Sequence, residues 1–361
     1  MHGVMRSTLV VAVLSLALFA ALHAAAGPPG GDYTVTHLVS DIPGNAPPPA
    51  DPNLVNGWGL ARSATSPWWV ADNGPDPSTS KSTLYTAAGA KVPLNVDVLG
   101  GPTGAVFAGV PGSFPIGTAT DPTLGSALFV FATEAGDIRA WRGGSAALVA
   151  PTTGVAPGAV FKGLAIAQPT PGSPLLYATD FHNGQVDVFN GAWQNVTPPG
   201  AFVDPQVPSG YAPFGIQTIG SDIFVTYGEQ DAAAHDEVDA QSLGFVDEYD
   251  LQGNLVARVA QHGQLDGPWG LAMAPATFGR YAGDLLVGNF GDGQINAYAA
   301  GDGGWHHAGT LRSPDGGKLV IDGLWSLQFG NSGSNGDPNT LFFTAGPNDE
   351  SDGLFGTITT G

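Results

Sequence analysis

The chain contains no cysteine, which excludes disulfides and thiolate metal sites. Positive charge is nearly as scarce: Lys and Arg together number 11 against 31 Asp and Glu, a formal net charge of -20. So acidic a chain lacks the cations that displace counterions from phosphate, which argues against nucleic acid or anionic membrane as a partner. Beyond the N-terminus no apolar run reaches the ~20 residues of a membrane-spanning helix. No segment keeps a helical period. There is no HExxH, no Gly-x-Ser-x-Gly elbow, no P-loop, no Gly-x-Gly-x-x-Gly and no EF-hand loop. Zincin proteases, the usual serine hydrolases and nucleotide enzymes are therefore disfavoured.

Glycine and proline, by contrast, are abundant: 54 and 30 of 361 residues. Without a Gly-X-Y period that composition means disorder or many turns, and apolar runs recurring throughout the chain select turns. The first 26 residues have the form of a secretory signal, with Arg6, the apolar "STLVVAVLSLALFAAL" and small residues near Ala24 and Ala26. The expectation is an exported mature chain without a membrane span, destined for the periplasm, the cell surface or the medium. A retained membrane helix is the alternative, and the apolar stretch is short for it.

Six copies of one pattern decide the fold class. A Gly among small or apolar residues recurs at "NGWGLA" (56–61), "PIGTA" (115–119), "FKGLAIA" (161–167), "PFGIQT" (213–218), "PWGLAMA" (268–274) and "GLWSLQF" (323–329). Each is followed by a β-branched and aromatic run such as "WWVADN" or "LLVGNF", then, after a turn, by a third alternating run such as "STLYT" or "QINAY". The pattern predicts an all-β six-bladed β-propeller of four-stranded blades near 57–100, 115–150, 161–200, 213–260, 268–312 and 321–361. The last copy stops after three strands, so 33–40 is expected to supply its outer strand and close the ring. An open two-sheet sandwich would not explain six copies.

The rhythm "P-x-G-[IL]-A" then "[LI]-x-V-x-[DN]" resembles NHL-type propeller repeats. More specifically, "DPNLVNGWGLA", "EQDAAAHDEVD", "GPWGLAMAPATFG", "GDLLVGNFGDGQINAY", "IDGLWSLQFG" and "LFFTAGPNDE" resemble a family of exported bacterial NHL-like propeller proteins of unassigned activity, some with a PEP-type C-terminal sorting tail. The resemblance spans nearly the whole chain after residue 26. It implies the propeller fold but no activity, and the ending "GLFGTITTG" lacks the sorting tail.

In a propeller, the ends of the second strands and the starts of the innermost strands meet on one face around a central channel. The second-strand ends here carry Asp72 with Asn73, Glu134, Asp180, Glu229, Asn289, and Asn348 with Asp349 and Glu350. The innermost strands start with Trp58, Phe214, Trp269 and Trp325, an aromatic funnel suited to a flat or apolar ligand. Most of the local charge lies in "GEQDAAAHDEVDAQSLG" (228–244), where Glu229, Asp231 and Asp236 join the candidate metal ligands Asp72, Asp180, Asn289, Asn348 and Glu350. Ca²⁺ is the favoured ion, since it accepts 6–8 oxygens in irregular geometry. A solvated hairpin is the bland alternative for the acidic stretch, and turn capping for Asp72, Asp180 and Asn289. His182 and His235 are the weak candidates for a general base. The reading favoured by these residues is an exported module binding a small molecule, glycan or protein through an acidic, aromatic funnel. The alternatives are a metal-dependent hydrolase or lyase of the lactonase-like propeller type, or a structural envelope protein.

Overall fold

The computed structural model describes residues 32–117, 121 and 124–361. The candidate leader 1–26 and part of the "PIGTA" copy lie outside the described residues.

Six antiparallel sheets surround one axis. Their innermost strands are Gly57–Ala61, Pro102–Phe107, Phe161–Thr170, Tyr211–Ile219, Pro268–Met273 and Leu324–Phe329. Each touches its neighbours on both sides, and the sixth touches the first, so the ring is continuous. The chain is a six-bladed β-propeller. Clusters of apolar side chains fill the space between sheets, Phe161, Phe189 and Trp193 between the second and third, for example, and Tyr177, Phe202 and Tyr249 between the third and fourth.

Two boundaries differ from the sequence expectation. The second blade starts at Pro102–Phe107, not at 115–119; Pro115–Ile116 instead pairs with Gly125–Ser126 in a small separate hairpin. "PTGAVF" carries the same Gly-x-apolar signal but follows two turn glycines closely, which masked it. The third blade has three strands rather than four. Where a fourth would start, the Thr197 hydroxyl accepts the Val188 N–H at 2.8 Å, and Pro198 and Pro199 follow. A side-chain oxygen and two residues without N–H end the pairing after a single bridge at Asn195. In the sixth sheet the outermost strand is Tyr33–Ser40, antiparallel to Leu354–Thr360 with Tyr33 opposite Thr360. The Tyr33 ring is buried, and its hydroxyl donates to the Phe278 carbonyl of the fifth blade at 3.2 Å.

What fixes the channel is how closely the innermost strands approach one another. Five of them have glycine at one equivalent position: Gly59, Gly104, Gly163, Gly215 and Gly270, with Ser326 in the sixth. A Cβ on any of the five would collide with the backbone of the next innermost strand, Gly215 against the Trp269 carbonyl and Gly270 against that of Trp325. All six strands are bulged at or beside this position, and three threonines satisfy the amides that the bulge frees. Thr179 Oγ1 accepts the Gly163 N–H at 2.6 Å and donates to the Phe214 carbonyl of the next blade at 2.7 Å. Thr226 takes the Gly215 N–H at 2.7 Å; Thr344 takes that of Ser326 and donates across to the Trp58 carbonyl.

Gly215→Ala is expected to destabilise the chain by about 1–3 kcal/mol, the usual cost of forcing a methyl group into a packed site, measured by urea unfolding. Removing 32–40 strips the sixth sheet of its outer strand and the buried Tyr33. A cooperative transition at a clearly lower melting temperature is expected; an unchanged temperature would show that this strand does not hold the ring.

Candidate functional site

The residue before each of those glycines, and before Ser326, comes at one level of the channel: Trp58, Thr103, Lys162, Phe214, Trp269 and Trp325. Four are aromatic and pack on one another as a plug. Trp58 stacks on Trp325 with ring centroids 3.6 Å apart, Phe290 stacks on the other side of Trp325 at 4.0 Å, and Trp269 and Phe214 meet this stack edge-on. All four funnel aromatics anticipated from sequence therefore converge, but as a closed floor: Trp58, Phe214, Trp269 and Trp325 are buried.

Lys162 is the one charged residue in this ring, and it organises the site. Its side chain is fully buried, with Nζ 5.0 Å from the centre of the Trp58 ring, a cation–π contact. Nζ donates to Glu134 Oε1 and, at 2.8 Å, to Asp236 Oδ1. Burial by itself would lower the lysine's pKa, but Glu134, Glu237 and Asp236 raise it above the usual value, so the ammonium stays charged. Asn73 donates to Glu134 Oε2 at 2.7 Å. Asn56 accepts from Trp325 Nε1 at 3.0 Å and donates to Glu350 Oε1 at 3.1 Å, tying the plug to the carboxylates above it.

The acidic stretch of the fourth blade folds over this floor. Asp231 Oδ1 accepts the N–H groups of Ala233 (3.1 Å) and His235 (2.8 Å), so that Asp231 shapes the loop. Gln230 pairs with Glu237 as an isolated bridge, and Gln230 Nε2 donates to the Phe181 carbonyl at 2.6 Å. Asp236 and Glu237 are thereby presented to Lys162. From the sixth blade, "GPNDE" delivers Glu350 through three consecutive left-handed residues, Asn348 (φ 58°), Asp349 (φ 53°) and Glu350 (φ 62°). Each such residue costs roughly 1–2 kcal/mol, a strain of the kind that collects at functional sites.

The acids around Lys162 fall into two classes. Despite the burial that opposes it, Asp236 is held below the usual carboxylate range by Lys162 and His235. Glu237 is pushed up to about 8, chiefly by burial and further by Asp239 and Glu350, against the pull of Lys162. Burial, with Asp266 and Glu350 adding repulsion, pushes Asp239 up to about 7; Glu350 is raised by burial, with Glu134 and Asp236 adding to it, against the hydrogen bond from Asn56 and the charge of Lys162. One mouth of the channel thus holds a carboxyl that gives up its proton easily beside others that keep theirs to higher pH.

The remaining sequence candidates are dispersed. Asp72 lies inside the first blade, with Oδ1 accepting from the Thr83 hydroxyl at 3.1 Å. Asp180 caps a turn, accepting from Asn183 N at 3.2 Å and Nδ2 at 2.7 Å. Asn289 donates to the Gln264 carbonyl and to Asp292, Glu229 accepts from Tyr211 OH at 2.9 Å, and Asn348 is exposed and bonds to Asp352 at 2.6 Å. His182 is exposed, with Nδ1 3.2 Å from the Ala234 carbonyl. His235 Nδ1 lies 3.0 Å from Asp236 Oδ1. Of the eight anticipated ligands only Asp236 and Glu350 belong to the Lys162 cluster; the other six are engaged in the hydrogen bonds just given. Glu134, His235 and Asp236 do form a group whose ligand atoms all lie within 4.8 Å of one another and could hold a metal ion. Sequence reasoning missed Lys162 and Asn56, and left Glu237 and Asp239 of the acidic stretch outside the candidate ligands. The signal for Lys162 was present: aligned on the glycine, it is the one cation among Trp, Thr, Phe, Trp and Trp.

The fold and this channel mouth define a six-bladed propeller with an acidic site built on a buried lysine. Among relatives, an uncharacterised protein of Acanthamoeba polyphaga mimivirus is 30% identical over 344 residues, covering 90% of this chain and 80% of the viral protein. A second uncharacterised protein of the same virus is 29% identical over 326 residues, 85% and 81% of the two chains. The chain belongs to the family of these proteins. These relatives are viral, and they support the propeller family without bearing on the bacterial, NHL-like or sorting-tail parts of the resemblance. No family model matches. Solved structures with the same fold include a Penicillium chrysogenum α-L-arabinanase complexed with arabinobiose (TM-score 0.53, 12% identity, 91% of this chain and 98% of that one) and a Fusarium graminearum α-L-arabinofuranosidase with an iminosugar inhibitor (0.52, 12%, 91% and 98%). The apo soluble aldose sugar dehydrogenase of Escherichia coli has a TM-score of 0.50 at 12% identity, covering 91% of this chain and all of that one. At such identities the likeness is one of fold.

Glu237→Gln is expected to leave stability unchanged at pH 4 or below and to raise the melting temperature at pH 8. The sign follows from the raised pKa: the folded state keeps a proton that the unfolded chain releases above its ordinary value of 4.5, so wild-type stability falls as pH rises towards 8. Lys162→Met removes the central cation from carboxylates held together by the fold. Breaking such a pair costs about 3–5 kcal/mol, and thermal melts are expected to show the larger loss at the higher pH.

Proposed function

We propose that the chain is a ligand-binding propeller whose Lys162 mouth takes a small polyhydroxylated ligand, neutral or cationic. The observation that carries this reading is the convergence of Glu134, Asp236, Glu237 and Glu350 around one buried ammonium on an aromatic floor. Ionised Asp236 offers acceptors to sugar hydroxyls, protonated Glu237 offers a donor, and excess negative charge favours a cation. No side chain among the described residues hydrogen-bonds the Glu237 or Asp239 carboxyl, which leaves both groups open to a ligand. The fold neighbours that hold arabinobiose and an iminosugar support this ligand class by analogy alone.

A second reading, divalent-cation binding and with it metal-assisted hydrolysis, is favoured by the Glu134, His235 and Asp236 group. Its fit to Ca²⁺ is poor. That group provides two carboxylates and one imidazole where Ca²⁺ takes about 6–8 oxygens, and both carboxylates already neutralise Lys162. An ion there would face the ammonium unless the lysine moved. The mixed donors suit Zn²⁺ better. Export is part of the same proposal and rests on residues 1–26. Mass measurement of the chain secreted by a bacterial host is expected to show cleavage near Ala24 or Ala26; an intact cytosolic chain would refute it.

Calorimetric titration of the chelator-treated protein with arabinobiose, with a basic iminosugar, and with Ca²⁺ or Zn²⁺ separates the readings. Saturable sugar or iminosugar binding, weakened at least tenfold by Glu237→Leu or Asp236→Ala, is the expected result. Metal binding without sugar binding would transfer the site to the second reading; absence of both would leave the carboxylates to structure.

A further inference from the structure

The channel has a second mouth. The innermost strands run from the plug to Ala61, Ala105, Ala165, Gln217 and Gln328 within two or three residues, ~7–10 Å at strand rise. There they open into a cavity of about 330 Å³ lined by residues of the first, second, third, fourth and sixth blades. That volume lies at the lower end of the ~300–1,000 Å³ range of small-molecule sites. One part of its wall is apolar, with Val106, Phe107 and Ile166; the polar part is made by Arg62, Gln217 and Gln328.

Arg62 combines partial burial with the lack of a counter-ion. In a protein of net charge -20, no carboxylate among the described residues lies within ion-pairing distance of it, while Lys81, Lys91, Arg139 and Arg258 are paired; Arg142, Arg280, Arg312 and Lys318 also lack an ion pair, but they are exposed to water. Burial lowers the pKa of the guanidinium, and no negative group offsets that effect. Its place is nevertheless fixed: Nε and Nη2 donate to the Phe329 carbonyl at 3.2 and 2.8 Å, and the guanidinium lies 5.3 Å from the centre of the Trp68 ring. Gln328 Oε1 is buried without a hydrogen-bond partner. An uncompensated, positioned cation and an unsatisfied buried amide oxygen in one cavity are both costly unless a ligand completes them.

We propose that this second mouth is a separate binding site for a small organic carboxylate with an apolar body. The carboxylate pairs with Arg62, the body lies against Val106, Phe107 and Ile166, and a hydroxyl or N–H elsewhere on the ligand satisfies Gln328 Oε1. The plug of Trp58, Trp269 and Trp325 separates this site from the acidic mouth, so one channel carries two sites of opposite preference, cationic or neutral at one end and anionic at the other. The inference is independent of the sugar reading.

The test uses benzoate, 4-hydroxybenzoate and hexanoate, with benzamide and hexanamide as uncharged counterparts, titrated into the full chain and followed by backbone amide NMR shifts. The acids are expected to bind saturably, at least tenfold more tightly than the amides, with shifts confined to residues 61–64, 105–107, 165–166, 217–218 and 328. Arg62→Gln should abolish the preference for acid over amide. Gln328→Leu, which leaves the Arg62 contacts in place, should weaken 4-hydroxybenzoate more than benzoate. Equal affinity for acid and amide, shifts centred on Lys162 and Glu134, or no binding of the acids at millimolar concentration would each overturn the proposal. If Arg62→Gln fails to fold, the wild-type acid and amide comparison with Gln328→Leu decides it.

Discussion

The architecture depends on backbone meeting backbone at the axis. Gly59, Gly104, Gly163, Gly215 and Gly270 let each innermost strand lie against the next with no side chain between them. Because side chains alternate along a strand, the residue before each glycine is turned the other way, into the channel. The same contact therefore sets the size of the ring and the position of the plug. The bulge at this position frees amides that Thr179, Thr226 and Thr344 take up, two of them bonding to the neighbouring blade as well. Ring closure and site geometry thus share one set of contacts.

Electrostatics at the acidic mouth follows from Lys162 occupying one of those six positions. Four carboxylates brought together without a cation would repel one another or all hold protons. With a single buried ammonium among them, Asp236, which accepts a hydrogen bond from it, is held low, while Glu237, which does not, is raised by burial. Lys162 does part of what a bound metal would do, though its charge is single and covalently anchored. Around it, the acidic loop is ordered by Asp231 and the Glu350 turn adopts a left-handed run, so the chain spends conformational free energy to hold these groups in place.

Much of the fold was legible because a propeller is written as repetition. The Gly-x-apolar copies, the β-branched second strands and a sixth repeat lacking its outer strand each reflect a local requirement. The errors arose where the repeat was masked: "PTGAVF" behind its turn glycines, and the third blade's fourth strand, lost to Thr197 and two prolines. The site was legible only in part. All four aromatics and two of eight anticipated ligands converge, whereas Asp72, Asp180 and Asn289 are occupied by strand and turn hydrogen bonds. Acidic residues at strand ends look alike in sequence whether they cap a turn or face the channel.

By itself, the sequence determined the fold class, the number of blades, the excess of negative charge and the absence of thiol chemistry, because each follows from composition or from spacing within ~40–50 residues. Tertiary structure alone decided which acids meet. Glu134, Lys162, Asp236 and Glu350 come from four blades, and their mutual distances depend on how the ring closes, which no local pattern encodes. It also decided that the aromatic collar is a closed floor, and that Arg62 faces a cavity without a counter-ion. Whether side chains from separate blades touch, and whether a charge finds a partner, is settled only when the strands pack around a common axis.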